Sequence, residues 1–137
     1  MFPSDEAIDA TTEKVIACAI EVHRVLGPGL LESIYRDCLL IELKRVHLSV
    51  ESERYVPFEY KGQPIATKLK LDLLVNGCIV VELKAVESLH PIHSAQVITY
   101  LKLTGCPAGL LLNFNATTLR AGLKRLDHPD RYKKKNS

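Results

Sequence analysis

The sequence predicts an α/β fold, a mixed sheet flanked by helices with an extra helix at the N-terminus. Three observations predict it: two segments with helical apolar spacing precede any strand pattern, a strongly apolar hairpin fills residues 68–85, and a further helical segment leads into the almost wholly apolar run "AGLLLNFN". A strand covered by helices on both faces must be apolar on both, and such a run meets that demand.

Ser4 is placed to cap the first helix, and Asp5 and Glu6 suit the positive end of its dipole. Ile8, Val15, Ile16, Ala19, Val22 and Leu26 recur at helical spacing until "GPG" at 27–29 ends the run. A second helix is expected from about Leu30 to Val46, with Leu31, Ile34, Tyr35, Cys38 and Leu39 on one stripe and Lys44 and Arg45 toward its negative end. From Leu48 to Tyr60 the residues alternate loosely and "YKGQP" turns into the hairpin, so three antiparallel strands in meander order are expected. Pro91 opens a third helix over roughly Ile92 to Leu103, stopped by Gly105 and Pro107. "AGLLLNFN" follows as a buried strand, and "TTLRAGLKRL" fits a helix or an edge strand equally well.

Within the hairpin, Leu69, Leu71, Leu73 and Val75 are expected on one face and Lys68, Lys70 and Asp72 on the other. On the return strand Ile79, Val81, Leu83 and Ala85 oppose Val80, Glu82 and Lys84 in the same way. A two-residue Asn76-Gly77 turn would set odd positions against even ones, and each apolar side would meet the other strand's charges. A three-residue connection with Gly77 left-handed, or a bulge, restores odd opposite odd and gathers Asp72, Glu82 and Lys84.

Two carboxylates held close together repel, and each raises the other's proton affinity unless a cation lies between them. Oxygen-only ligation favours Mg²⁺, or Mn²⁺, over zinc. Lys84 points the same way as Glu82 and is placed to orient a water or offset charge growing on a phosphate. The alternative is three charges on the wet face of an amphipathic hairpin, with Glu82 and Lys84 a weak surface pair.

Length and composition narrow the classes. A chain of 137 residues with 47% apolar and 25% charged residues suits one globular domain and excludes a disordered chain. The domain is expected over residues 1–126, with 127–137 as a solvated basic tail. Apolar runs fall far short of a bilayer span, the acidic start is unlike a signal peptide, and a cytoplasmic location is expected. The four cysteines stand singly in apolar surroundings and read as reduced core residues, not zinc ligands. A formal net charge of +2 does not by itself announce a nucleic-acid binder.

Asp72 followed across a short hairpin by "Glu82-Leu-Lys84" resembles the PD-(D/E)XK phosphodiesterase superfamily, the restriction-endonuclease-like fold. "GLLESIY", with Gly29, Glu32 and Tyr35, resembles the name-giving motif of the GxxExxY proteins assigned to it. "DLLVNGCIVVELKAVESL", "HSAQVITYLKLTG" and "LLLNFN" follow in that group's order, and the likeness runs from about Val15 to Leu126.

The resemblance implies an αβββαβ core and a Mg²⁺-dependent nuclease. Asp72, Glu82 and the Leu83 carbonyl would hold the metal, Lys84 would position water, and Glu32 would add a ligand or a supporting base. Gln96 and Tyr100 resemble auxiliary side chains that line such sites. Lys70 departs from the pattern, because an Arg is expected two residues before the Asp and bidentate phosphate gripping is lost.

Lys68, Lys70 and the basic tail would meet phosphates of nucleic acid, DNA rather than RNA. With only 6% aromatic residues, base stacking is not the expected binding mode. From the residues alone, Glu32 and Tyr35 are equally an acid at a helix start beside a core aromatic, and His93 a helix cap or a proton carrier. The rival function is a catalytically silent nuclease-fold module that binds protein or nucleic acid, as a homodimer or within a larger assembly.

Overall fold

The computed structural model describes residues 2–133. The first helix, α1 (Asp5–Leu26), is capped by Ser4, whose Oγ accepts from the Ala7 N–H at 3.1 Å. Ile8, Val15, Ala19 and Val22 form its buried stripe. The second, α2 (Glu32–Arg45), starts two residues later than the apolar spacing implies. Its buried line is Tyr35, Leu39 and Leu43, four apart, whereas Leu31 is 71% exposed and Ile34 39%. The broader stripe read from the sequence is thus corrected at its start: Leu31 and Ile34 are exposed, while Cys38 still packs against the core beside the buried line.

The main sheet is built from β1 (Val50–Val56), β4 (Leu69–Val75), β5 (Ile79–Lys84), β6 (Ala108–Asn113) and β7 (Leu123–Asp127), side by side in that order. Only β5 and β6 run parallel, and α3 (Pro91–Thr104) makes the crossover between them. The expected three-strand meander is present as β1, β4 and β5, interrupted by a two-stranded outlier, β2 (Glu59–Tyr60) with β3 (Gln63–Pro64). The ambiguous "TTLRAGLKRL" is both things in turn, a single 3-10 turn at Arg120–Gly122 followed by the edge strand β7.

The hairpin between β4 and β5 has the three-residue connection. Leu73 faces Val81, Leu74 faces Val80 and Val75 faces Ile79, while Asn76 and Gly77 take φ of 52° and 64° to close the turn. One expectation fails here. Leu73 and Val75 pack beneath α1 and α2, but Leu69 and Leu71 pack on the α3 side, so β4 changes the phase of its alternation near Asp72.

Two apolar layers result. Under α1 and α2 lie Leu73, Val75, Ile79, Val81, Leu83, Leu110 and Leu112. Under α3 lie Leu71, Leu74, Val80 and Leu111, packed by Val97 and Leu101. Burial of each such leucine contributes about 1.5–3 kcal/mol before the entropy of ordering is counted.

The tail is shorter than expected. β7 extends to Asp127, and the Arg131 side chain is only 1% exposed where it meets Asp127 at 2.6 Å and Asp5 and Asp9 of α1 at about 3.4–3.5 Å. Residues 134–137, with the remaining lysines of the expected basic tail, lie outside the described residues. No helix among the described residues is long and apolar enough to cross a membrane.

The seam between α3 and β6 is tight, and a Cβ built on Gly109 would lie 2.7 Å from the Val97 Cγ1 and 3.2 Å from the Val80 carbonyl. Gly109→Ala should therefore lower stability by about 1–3 kcal/mol, read from the urea midpoint at unchanged slope.

Candidate active site

The strand pairing of β4 and β5 stops at Leu73 and Val81, one residue before the two acids. Beyond that point side chains replace the backbone ladder. The Asp72 N–H donates to Glu82 Oε1 at 3.0 Å, and the Leu83 N–H donates to Asp72 Oδ2 at 2.9 Å. Each acid thus accepts a hydrogen bond from the other strand's backbone, and this crossed pair holds the carboxylates together.

Glu82 is only 4% exposed because β5 is covered on both faces. Burial, reinforced by the neighbouring Asp72 carboxylate, pushes its carboxyl up to about 8, against the opposing pull of the Asp72 N–H and of Lys84. Among the described residues neither acid sits in an ion pair. Among the described residues the nearest cation acting on this pair is Lys84, and it forms no ion pair with either acid.

Three other elements close on them. Glu32, the first residue of α2, has its carboxyl raised by burial and by Asp72, while Lys84, the Ala85 N–H and Arg36 pull it back. It therefore shares the field of Asp72 and Lys84. Tyr100 of α3 is raised by burial, then by Glu82 and Asp72, and Gln96 donates to its hydroxyl at 3.1 Å. His93, two turns before Tyr100, is lowered by burial, by Lys84 and by His90. Its Nδ1 accepts from the His90 N–H and the Nδ1 of His90 accepts from the Ile92 N–H, both at 3.1 Å, so this pair caps α3.

Local sequence explains the placement. Tyr35 is fully buried, donates from Oη to the Gly27 carbonyl at 2.6 Å and accepts from the Leu30 N–H at 3.1 Å. It thereby fixes the short loop that delivers Glu32. The Tyr35 ring stacks on Phe114 at 4.7 Å, and the Phe114 N–H donates to the Lys84 carbonyl at 2.9 Å. Glu32 and Lys84 are thus tied to one aromatic pair.

Asp72, Glu82, Lys84, Glu32, Gln96 and Tyr100 are accordingly brought to one place. The proposed phosphate contacts are less free: Lys70 Nζ lies 3.5 Å from Glu53, whose other oxygen meets Arg36 at 2.9 Å, whereas Lys68 is exposed. Asn113 escaped sequence reading. Its buried amide donates to the Val86 carbonyl at 2.9 Å and accepts from the Val86 N–H at 3.1 Å, holding the chain just after Lys84. The signal was one polar residue ending an otherwise apolar strand.

For a divalent ion the donors are hard oxygens: the two carboxylates and, next to them, the Leu83 carbonyl. A cation would displace the proton that buried Glu82 holds up to about 8 and take its carboxylate as a ligand, so the residues present fit one. Among the described residues no group of three or more His, Cys, Asp or Glu side chains is arranged to hold a metal, so the donor set there is two carboxylates and a carbonyl. Such a site would leave several positions to water, which suits Mg²⁺.

A family model described as the PD-(D/E)XK nuclease superfamily matches residues 9–126. The chain belongs to that superfamily. The match spans all the residues just described, and the five-stranded mixed sheet with its flanking helices is consistent with the restriction-endonuclease-like fold. Membership in the PD-(D/E)XK superfamily indicates nuclease-type activity on nucleic acid, and its nucleases generally use divalent metals. Among curated proteins and among solved structures, nothing matches.

The raised Glu82 has a thermodynamic consequence. Between the ordinary value of 4.5 and about 8, folded protein keeps a proton that unfolded chain has lost, so stability falls as pH rises through that window. Denaturant titration of metal-free protein should show this loss, on the order of a few kcal/mol, and Glu82→Gln should remove most of it. A wild-type profile flat over the same range would mean that Glu82 is ionised throughout.

Proposed function

We propose that the protein is a metal-dependent phosphodiesterase that hydrolyses nucleic acid, DNA in preference to RNA, as a cytoplasmic enzyme. The observation that carries this reading is the crossed Asp72 and Glu82 pair, with Glu82 buried, Asp72 half-buried and neither in an ion pair among the described residues. In it, Asp72, Glu82 and the Leu83 carbonyl would hold Mg²⁺, with Mn²⁺ as a substitute. When bound, the ion neutralises the two acids and polarises a phosphate oxygen.

The chain's own residues do the rest. Lys84, two residues from Glu82 on the same strand face, orients the attacking water and offsets charge developing on the phosphate. Glu32, close enough to feel Asp72 and Lys84, adds a ligand or accepts a hydrogen bond from water in the site as a supporting base. Tyr100 and Gln96 form a linked donor pair that fixes a phosphate oxygen on the α3 side. Lys68 meets the flanking backbone, and Lys70 can join it only by leaving Glu53. Assignment to the narrower GxxExxY group rests on Gly29, Glu32 and Tyr35.

The test is incubation of purified protein with labelled single-stranded, duplex and branched DNA and RNA, with Mg²⁺, Mn²⁺ or chelator. Metal-dependent cleavage is expected, with Lys84→Ala and Asp72→Asn slower by about a hundredfold or more while the circular dichroism of the fold is kept. Equal nicking by wild type and both variants would mark a contaminant and remove the enzymatic reading.

A further inference from the structure

The phase change in β4 has its origin on the neighbouring strand. Glu53 adopts φ of 51° in the middle of β1, a left-handed conformation that a side chain with a Cβ resists. On one side of it Ser52 stands opposite Leu73, which packs beneath α1 and α2. On the other, Arg54 stands opposite Leu71, which packs beneath α3. Residues two apart in a regular strand share a face, so both strands reverse together between these pairs.

Glu53 and Asp72 fall opposite one another at the reversal and form no ladder pair. Asp72 is also outside the ladder with β5, which leaves its N–H for Glu82 and its carboxylate for Leu83. The Glu53 carboxylate is held on the α2 side by Arg36 at 2.9 Å and Lys70 at 3.5 Å.

We propose that Glu53 is a positioning residue whose left-handed backbone reverses β1 and β4 and thereby takes Asp72 out of the sheet ladder, free to face Glu82. Its consequence for catalysis rests on the nuclease reading, while its structural content does not. Backbone conformation carries the effect, so the ranking of substitutions follows tolerance of positive φ: Gly and Asn best, a β-branched residue worst.

The experiment compares Glu53→Gly, Glu53→Asn and Glu53→Val, with Glu53→Ala as a milder variant should the valine protein not fold. Scalar couplings across hydrogen bonds, measured by NMR, identify the acceptor of the Asp72 and Leu83 amides. Calorimetric titration with Mn²⁺ reads the site. Gly and Asn should keep couplings to the carboxylate carbons and bind Mn²⁺ within about threefold of wild type, whereas Val should lose the couplings and bind about tenfold or more weakly. Cleavage should follow in kcat more than in KM.

Wild-type couplings in the valine or alanine protein would overturn the proposal. So would equal loss in Gly, Asn and Val, which would assign the role to the charge pairs with Arg36 and Lys70. A wild type that neither binds Mn²⁺ nor cleaves removes the nuclease reading alone, and the coupling pattern still decides the role of Glu53.

Discussion

Two carboxylates forced together inside a sheet are the constraint on which this structure turns. An ordinary antiparallel pair satisfies its backbone groups strand to strand, and side chains have no part in the ladder. Here Asp72 and Glu82 enter the ladder themselves, each accepting the other strand's N–H. That arrangement satisfies the backbone and fixes both acids, but it concentrates negative charge where water is scarce. The surrounding fold keeps this cluster intact without neutralising it. Glu82 is buried between two helical layers, and Arg36, which acts on the nearby Glu32, is paired with Glu53.

The supporting contacts converge on the end of the sheet where β5 and β6 finish. Lys84 stands beside Asn113 in the parallel register, its carbonyl takes the Phe114 N–H, and Asn113 grips Val86. From the other layer Tyr35 stacks on Phe114 while locking the loop before Glu32. The second helix and the two central strands therefore cannot shift independently. A site that must hold acids and an ammonium to within a fraction of an ångström gains from being tied to rigid elements in this way.

Much of this was legible in the residues. The odd-opposite-odd register of the hairpin followed from apolar pattern alone, since a two-residue turn would not set Leu73 and Val75 against Val81 and Ile79. Whether a three-residue connection or a bulge achieves it did not follow. The helices followed from caps and breakers such as Ser4, Pro91 and Gly105. What escaped was what alternation conceals. Leu69 and Leu71 continue the pattern of Leu73 and Val75 perfectly in sequence, yet a reversed backbone turns them to the opposite face. The breadth of the α2 stripe was overread for a similar reason, since Leu31 and Ile34 have helical spacing but no layer to meet. Arg131 looked like part of a solvated basic cluster because its partners, Asp5 and Asp9, are far away in the chain. Long-range ion pairs leave no periodic signal.

The position of β7 at the edge of the sheet bears on how the protein is made. β6 is buried along its whole length, yet its antiparallel neighbour is the strand synthesised after it. While a ribosome has released "AGLLLN" but not "LKRLD", one hydrogen-bonding edge of an apolar strand is open to any other extended chain. The charges on β7 and the docking of Arg131 close that interval. Nascent chains stalled just past Asn113 are thus the species from which aggregation would start.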